Sequence, residues 1–472
     1  MTLEASGSIA DGTTARWRDK KRYLWLMGLV VPSFTFLGVG AYLLTGWGVF
    51  LWIGAIIVFI VVPIVDLLTG TDQSNPPDEV IEALENDKYY RYVTFAFLPL
   101  QYAGFIVGMY LIATGGWPVV DKIGLAVTLG MVGGVAINTA HELGHKKPDH
   151  ERWLSKIALA QTFYGHFYIE HNRGHHVRVA TPEDPASSRM GESFYRFWPR
   201  TVVGSLRSAW GVERKRYARK ETHPFRLGND VLNAWLMSLV LWAGLTIWLG
   251  AGILPYLVLQ AVIGFSLLEI INYLEHYGML RQQVGSADRP RFERVLPAHS
   301  WNANNIATNI LLYHLQRHSD HHANPTRRYQ TLRDYQESPV LPTGYAGMLM
   351  LALIPPMWFR VMDKRVVAHV DGDIRLANLQ PGKRERLLRK FPPPTPESDD
   401  TFGDDVTRQS QSDDVLAARC PGCGYTYQVA AGDEAEGFAA GTAWSDIPDD
   451  WCCPDCGVRE KVDFVAIEEA AL

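Results

Sequence analysis

Cysteine is almost absent from this chain of 472 residues, because no cysteine precedes Cys420 and all five lie between Cys420 and Cys456. This distribution excludes a secreted disulfide framework and favours a metal site in a reducing compartment. An excess of basic charge is also lacking, since the formal net charge is −5. A strongly basic domain is the usual mark of nucleic-acid binding, so we expect no nucleic acid among the partners.

Further patterns are missing as well. The first residues contain no apolar segment followed by small residues, so we expect no cleaved signal peptide and a retained cytosolic arm. The sequence has no internal repeat. It also has no glycine fingerprint for a flavin or nicotinamide cofactor, so any reductase that uses these cofactors should be a separate protein.

Long apolar runs, by contrast, are frequent. A helix needs about 20 apolar residues to cross the hydrocarbon core of a bilayer. Stretches of this kind occupy residues 23–45, 47–69, 92–114, 122–141, 231–251 and 253–274. Buried helices of a large soluble protein are the alternative, but the run LWIGAIIVFIVVPIV carries no charge before Asp66. We therefore predict an α-helical integral membrane protein with six transmembrane helices in a lipid bilayer.

The basic residues predict the orientation of these helices. The arm before the first apolar run contains Arg16, Arg18, Lys20, Lys21 and Arg22. The positive-inside rule assigns such an arm to the cytoplasmic side. With six spans, both termini should lie in the cytoplasm of a multi-pass inner-membrane protein. The ends of the second, fourth and sixth helices would then share the cytoplasmic face.

Composition divides the chain into four predicted parts. These are a cytosolic arm at 1–22, a transmembrane domain at 23–390, a solvated linker at 391–415 and a small domain at 416–472. The linker is rich in Pro, Asp and Ser and poor in large apolar residues, as a disordered segment should be. One more apolar stretch, at 347–359, is broken by Pro355 and Pro356 and predicts an interfacial or re-entrant helix.

Histidines are concentrated in four short clusters, which contain nine of the fifteen. They are His141, His145, His171, His175, His176, His276, His318, His321 and His322. Three clusters contain an i, i+4 pair, which on an α-helix puts both imidazoles on one face and close enough to bind one metal ion. Nine nitrogen ligands exceed what one first-row ion accepts, so we predict two metals that share the set as about four and five.

Two other interpretations of the histidines exist. The motif HELGH matches the pattern of zinc metalloproteases, with Glu142 as the general base, but that leaves six histidines unexplained. Structural histidines at membrane ends would be costly to satisfy without cations. Imidazole suits iron, copper, zinc and nickel alike. The carboxylates beside the clusters are candidates for orienting the imidazole N–H groups or for binding the metals, and they are Glu142, Glu170, Glu275 and Asp320.

The C-terminal cysteines form a C-x2-C pair twice, at Cys420 and Cys423 and at Cys453 and Cys456. Four thiolates around one ion suit zinc or iron equally, so a structural zinc ribbon is the alternative to an iron site. Cys452 is expected to be a spectator. The aromatic residues and turns between the pairs resemble those of rubredoxin, which favours one iron.

The boxes HELGHK, EHNRGHH, NYLEHYG and LQRHSDHHA resemble the four signature motifs of the AlkB family of membrane alkane 1-monooxygenases. The resemblance covers roughly residues 20 to 390. It implies a di-iron centre ligated by the nine histidines, and terminal hydroxylation of n-alkanes with O2 and two electrons from the fused rubredoxin. The separate reductase should then be an NAD(P)H-dependent flavoprotein. Rivals are a related oxygenase acting on acyl chains or aromatic methyl groups, a membrane zinc protease, and a non-catalytic metal-binding protein.

An alkane partitions into the bilayer with about 0.8 kcal/mol per CH2, so a channel between helices would admit it with little desolvation. The candidates for the channel wall are Val58, Phe59 and Leu268. The acidic rubredoxin segment could dock by charge on the basic runs at 214–220 and 383–390. The alternative is that these runs only obey the positive-inside rule.

Overall fold

The computed structural model describes residues 17–285, 291–394 and 415–467. The first sixteen residues of the predicted cytosolic arm, residues 395–414 of the predicted linker and the last five residues of the small domain lie outside this part. The domain boundaries therefore remain a prediction from composition.

The helices of the first half of the chain include four of the six apolar runs. Their bounds are Leu24–Val30, Phe34–Thr45 (α1), Gly48–Thr69 (α2), Asp78–Asn86 (α3), Lys88–Thr114 (α4), Val119–Gly144 (α5), Asp149–Ala160 (α6), 167–178 (α7) and Phe194–Arg219 (α8). The helix α2 contains a π-helical turn at Ile57–Val61, and α7 contains one at His171–His175.

The second half continues with helices and adds two small sheets. The helices are Asp230–Leu249 (α9), Ala251–Glu275 (α10), Ile306–Leu311 (α11), His318–Ala323 (α12), Tyr345–Ala352 (α13), Pro355–His369 (α14) and Arg384–Lys390 (α15). The strands are Gln283–Val284 (β1), Arg291–Phe292 (β2), Ala417–Arg419 (β3), Thr426–Gln428 (β4) and Val465–Ala466 (β5).

Five helices of the described chain are long and apolar enough to cross a membrane, namely α2, α4, α5, α9 and α10. They correspond to the second to sixth predicted spans. The first predicted span is a bent pair instead, because Leu24–Val30 and α1 meet at 59°. Pro32 lies at this break and has no N–H with which to continue a helix. The prediction of a helical membrane protein is confirmed, with a sixth span if the bent pair counts as one.

The helix α5 is the centre of the bundle. Over its most apolar stretch 89% of the residues are buried, against 11% over that of α2. Glycines let α10 approach α5 closely. A Cβ at Gly130 would lie 2.8 Å from the carbonyl oxygen of Gln260, and a Cβ at Gly134 would lie 3.0 Å from that of Gly264. This close packing aligns the ends of α5 and α10, from which His141, His145 and His276 extend.

The predicted apolar stretch at 347–359 is divided between α13 and α14. Residues 353 and 354 separate the two helices, and α14 begins with Pro355 and Pro356 at its first turn, where a missing N–H costs little. Most of α13 is buried against the bundle, since Tyr345, Ala346, Met348, Leu349 and Ala352 are all buried.

The C-terminal domain is built around a three-stranded antiparallel sheet with the order β4-β3-β5. In this sheet Ala418 lies opposite Tyr427 on one side and Ala466 on the other. Its core consists of the aromatic residues Tyr427, Phe438, Trp444, Trp451 and Phe464 packed around the cysteines. The prediction of a small domain of short strands and loops is confirmed.

Candidate metal centres and substrate cavity

The nine histidines selected from the sequence come together in two adjacent groups at one end of the bundle. One group contains five residues, His141, His145, His171, His176 and His321, and the other contains four, His175, His276, His318 and His322. Within each group one nitrogen from every ring lies within 4.8 Å of the others. All nine are at most 8% exposed.

The elements that carry these rings explain the division into five and four. His141 and His145 belong to one group, as expected for an i, i+4 pair on a helix. His171 and His175 do not, so the prediction that they share a metal is wrong. They lie in the π-helical turn of α7. The hydrogen bonds of a π-helix join residues five apart, so His171 lies beside His176 instead.

The donor set fits bound cations. The Nε2 atoms of His145 and His175 are buried and have no hydrogen-bond partner in the described chain. The Nε2 atoms of His141 and His321 lie 2.8 Å apart, as do those of His318 and His322. Buried ring nitrogens whose only polar neighbours are other ring nitrogens destabilise the fold unless a metal binds them. The two histidine groups therefore suit a di-iron site.

Only one of the four neighbouring carboxylates selected from the sequence reaches a ring of this set. Glu275 Oε2 lies 3.2 Å from His318 Nε2. The other three pair with cations: Glu142 with Lys146 at 3.1 Å, Glu170 with Arg178 at 3.3 Å and Asp320 with Arg327 at 3.0 Å. Each of these pairs is local in sequence, and in the described chain none of the three carboxylates lies within hydrogen-bond distance of a ring of the two groups.

Asp184 is a site residue that the sequence did not reveal. Its Oδ2 atom lies 2.8 Å from His175 Nδ1 and also accepts a hydrogen bond of 2.6 Å from the Ser187 hydroxyl. Burial alone would raise the pKa of Asp184, but the His175 ring and the Ser187 hydroxyl lower it to about 2. The carboxylate is thus charged at neutral pH and holds the His175 ring by its Nδ1. It lies outside the histidine motifs, so their spacing could not point to it.

The remaining histidines lie outside both groups. His166, buried against Tyr164 and Trp235, has no hydrogen-bond partner in the described chain. His314 bonds the carbonyl oxygen of Tyr329 and lies 3.2 Å from Lys21 Nζ. Neither joins a group of potential metal ligands in the described residues.

Substitution of Asp184 by Asn should weaken metal binding by the four-histidine group. The amide keeps the shape but loses the charge that orients His175, and such outer partners typically change metal affinity about 10- to 100-fold. Iron retained by the purified protein after exposure to a chelator series measures the effect. Asp363→Asn is the matched control, because Asp363 is equally buried but bonds the Tyr277 hydroxyl. Equal iron retention in the two variants would contradict the assignment.

The four predicted cysteines also converge. Sγ atoms lie 3.8 Å apart for Cys420 and Cys456 and 3.5 Å apart for Cys423 and Cys453, which suits one iron with four thiolates. Cys452 does not belong to this group. Burial and the neighbouring Glu460 raise the pKa of its thiol, which agrees with a spectator.

The small domain lies, through charged contacts, against the end of the bundle that carries the histidines. Glu436 is paired with Arg173 and, at 3.1 Å, with Arg219. Burial would raise the pKa of Glu436, but the two guanidinium groups outweigh it and lower it. Further pairs join Lys215 to Asp450 at 3.3 Å and Arg152 to Asp455 at 3.2 Å.

One of the two basic runs proposed for docking takes part. Residues of the run at 214–220 contact the domain, whereas Lys383 bonds the Gly191 carbonyl oxygen and Lys390 pairs with Asp363 in the membrane part. The domain also uses cations that the sequence did not suggest, among them Arg173 in the second histidine box.

A cysteine knuckle packs closely against the membrane part. Gly457 directly follows Cys456, and a Cβ there would lie 2.2 Å from the Asn172 carbonyl oxygen and 3.8 Å from His176 Cβ. Its φ of +69° also favours glycine. The cysteine site therefore contacts the π-helical turn that carries His171 and His175.

Substitution of Gly457 by Ala should separate the two parts, because the methyl group would collide with the Asn172 carbonyl. Zero-length carbodiimide cross-linking of Lys147 to Asp455, whose charged atoms are 3.8 Å apart, reports docking, and its yield should fall several-fold. Gly441→Ala is the control, since Gly441 has a similar φ of +86° but open space around it. An equal yield in both variants would show that Gly457 does not control docking.

An apolar cavity leads to the histidines from inside the bundle. Its walls include Val31, Val58, Val62, Val135, Leu268 and Leu349, and its inner end includes Asn138, His141, His171, Asn272, Glu275 and His318. Phe59, the third predicted wall residue, does not line this cavity. It follows Val58 in a helical turn and so points to a different side of α2.

Comparison with known proteins agrees with this arrangement. The fatty acid desaturase family profile matches residues 121–352, and the rubredoxin profile matches residues 417–464. An alkane 1-monooxygenase of Acinetobacter baylyi is 48% identical over 381 residues, covering 79% of this chain and 91% of that protein. One of Pseudomonas putida is 42% identical over 390 residues, covering 82% and 96%. The xylene/toluene monooxygenase hydroxylase component XylM of Pseudomonas putida is 30% identical over 271 residues, covering 56% and 69%.

The helical bundle, the paired histidine groups and the desaturase-type segment place the protein in the class of membrane proteins with histidine-ligated metal centres. Within that class, the chain belongs to the alkane 1-monooxygenase family, and it carries a rubredoxin domain at its C-terminal end.

Proposed function

We propose that this protein hydroxylates n-alkanes at the terminal carbon. The balanced reaction is R–CH3 + O2 + 2e⁻ + 2H⁺ → R–CH2OH + H2O. The observation that carries the proposal is an apolar cavity that ends at two buried histidine groups, in a member of the alkane 1-monooxygenase family. The proposed ligands of the two irons are the nine histidines, and those of the rubredoxin iron are Cys420, Cys423, Cys453 and Cys456.

The irons supply the oxygen chemistry, because breaking an unactivated C–H bond is beyond protein side chains. The chain supplies orientation and a dry path. The apolar walls of the cavity hold an extended hydrocarbon without polar competition and direct its end toward His141, His171 and His318. Asp184 holds His175 in a fixed orientation, and Glu275, beside His318, is the carboxylate best placed to contact the metals.

Electrons reach the histidine groups from the rubredoxin domain. Rubredoxin carries one electron at a time, so it must deliver twice in each turnover. The contact between Gly457 and Asn172 supports a short path from the cysteine site to the second histidine box. The separate NAD(P)H-dependent flavoprotein reductase belongs to the proposal too, on the ground that the chain has no fingerprint for either cofactor.

The same reasoning gives a proposed location. The basic N-terminal arm favours a multi-pass protein of the inner membrane, with both termini and all three metal sites on the cytoplasmic face. A reducing cytoplasm keeps the four cysteines available as thiolates, and the bilayer concentrates the substrate.

Metal analysis and product analysis together test the function. Detergent-purified protein should contain three irons, and truncation near residue 400 should leave two and remove the visible thiolate band. With octane, a reductase, NADH and 18O2, the full-length protein should form 1-octanol that carries the label. Zinc in place of iron, or no labelled alcohol from an iron-loaded sample, would overturn the proposal.

Substitution of Val58 by Trp should shorten the alkanes that are accepted, because the larger ring narrows the cavity at its wall. Product yields over a series of chain lengths measure this, and the yield from octane should fall at least tenfold relative to that from the shortest substrate accepted. Phe59→Trp introduces the same residue beside the cavity and should leave the chain-length profile unchanged. If Val58→Trp and Phe59→Trp gave the same chain-length profile, this result would contradict the cavity as the substrate path.

A further inference from the structure

We propose that Asn138 and Asn272 form a subsite that accepts a hydrogen bond from the hydroxyl group of the product, a primary alcohol, inside the cavity. The inference rests on the proposed function, since it assumes that the cavity holds the alkane and its alcohol. It concerns the only two asparagine side chains among the residues that line this cavity.

The neighbours of the two side chains determine which way each amide faces. Asn138 Nδ2 donates to the carbonyl oxygen of Leu312 at 2.8 Å, and Asn272 Nδ2 donates to Glu269 Oε2 at 3.2 Å. Glu269 also accepts hydrogen bonds from Tyr164 and Thr201. Because the NH2 group of each asparagine donates to its partner oxygen, each Oδ1 atom faces another way.

The amide oxygens remain open to the cavity. Asn138 and Asn272 are 7% and 6% exposed, and both line the cavity. Within the described part of the chain, neither Oδ1 atom accepts a hydrogen bond, and neither is among the fully enclosed atoms without a partner. Two hydrogen-bond acceptors are therefore directed into a space whose other walls are largely apolar.

The position along the helices matches the place where the alcohol forms. Asn138 precedes His141 by three residues on α5, and Asn272 precedes His276 by four residues, one turn from the end of α10. Residues three or four apart lie on one face of a helix, separated by about 5–6 Å along its axis. An alcohol formed at the histidines can thus reach the amides by sliding about one helical turn away from them.

Other polar groups of the lining are already engaged or enclosed. The Thr308 hydroxyl donates to Asp66, and Glu275 lies beside His318 with its Oε1 atom enclosed. An alkane has no donor and leaves both asparagine oxygens unpaired, whereas an alcohol can pair with one of them. A buried acceptor discriminates strongly between a ligand that supplies the missing hydrogen bond and one that does not. The subsite should therefore favour product over substrate and draw the new hydroxyl away from the histidines.

A comparison of two isomers tests the proposal without turnover. 1-Octanol and heptyl methyl ether contain the same atoms, but only the alcohol has an O–H donor. The apparent Kd of each for the iron-loaded protein, with no reductant present, follows from the dependence of Tm on ligand concentration. After correction for partition into detergent, we expect the alcohol to bind roughly three- to tenfold more tightly, as one hydrogen bond allows.

Variants then assign the preference to the two amides. The double substitution Asn138→Leu and Asn272→Leu keeps the side-chain size and should abolish the preference for the alcohol. Asn233→Leu is the control, because Asn233 lies on α9 and does not line the cavity, so that the preference should persist.

Equal binding of the two isomers by the unaltered protein would overturn the proposal, whether or not the double variant folds. A folded double variant that keeps the preference would overturn it as well. Failure of the protein to convert octane is a separate outcome, because it would count against the proposed function while the isomer preference could still be measured.

Discussion

Nine imidazole rings meet in a region from which water is largely excluded, and their need for cations constrains the rest of the structure. Ring nitrogens without partners destabilise the fold unless metals bind them. Buried charge pairs lie around these rings. Arg328 joins the segment after the last histidine box to Glu151 on α6 at 2.9 Å, and Glu142 and Lys146 pair within the first box. The end of the bundle that carries the histidines is thus completed by metal binding.

Much of this arrangement could be predicted from local patterns. Long apolar runs predicted the membrane helices because a bilayer imposes length and composition together. The histidine clusters predicted the residues that come together, since few other roles bring so many imidazoles to membrane ends. The cysteine pairs did the same for the second site, because two short knuckles suffice to surround one ion.

Other features depend on packing that local patterns do not encode. The division of the histidines follows from a π-helical turn at His171–His175, which a 3.6-residue period cannot anticipate. Asp184 reaches His175 from a loop that carries no motif. Phe59 and Val58 looked equivalent in the apolar run, yet only Val58 lines the cavity.

The short segment 167–178 contacts or supplies all three candidate metal sites of the molecule. It provides His171 and His176 to one histidine group and His175 to the other, and its Asn172 carbonyl oxygen contacts the cysteine knuckle. Replacing the electron donor is consequently not a matter of surface charge alone. A new donor, natural or engineered, must fit the backbone of the turn that also positions the metal ligands. A change of this turn that admits a different donor would therefore also change the active centre.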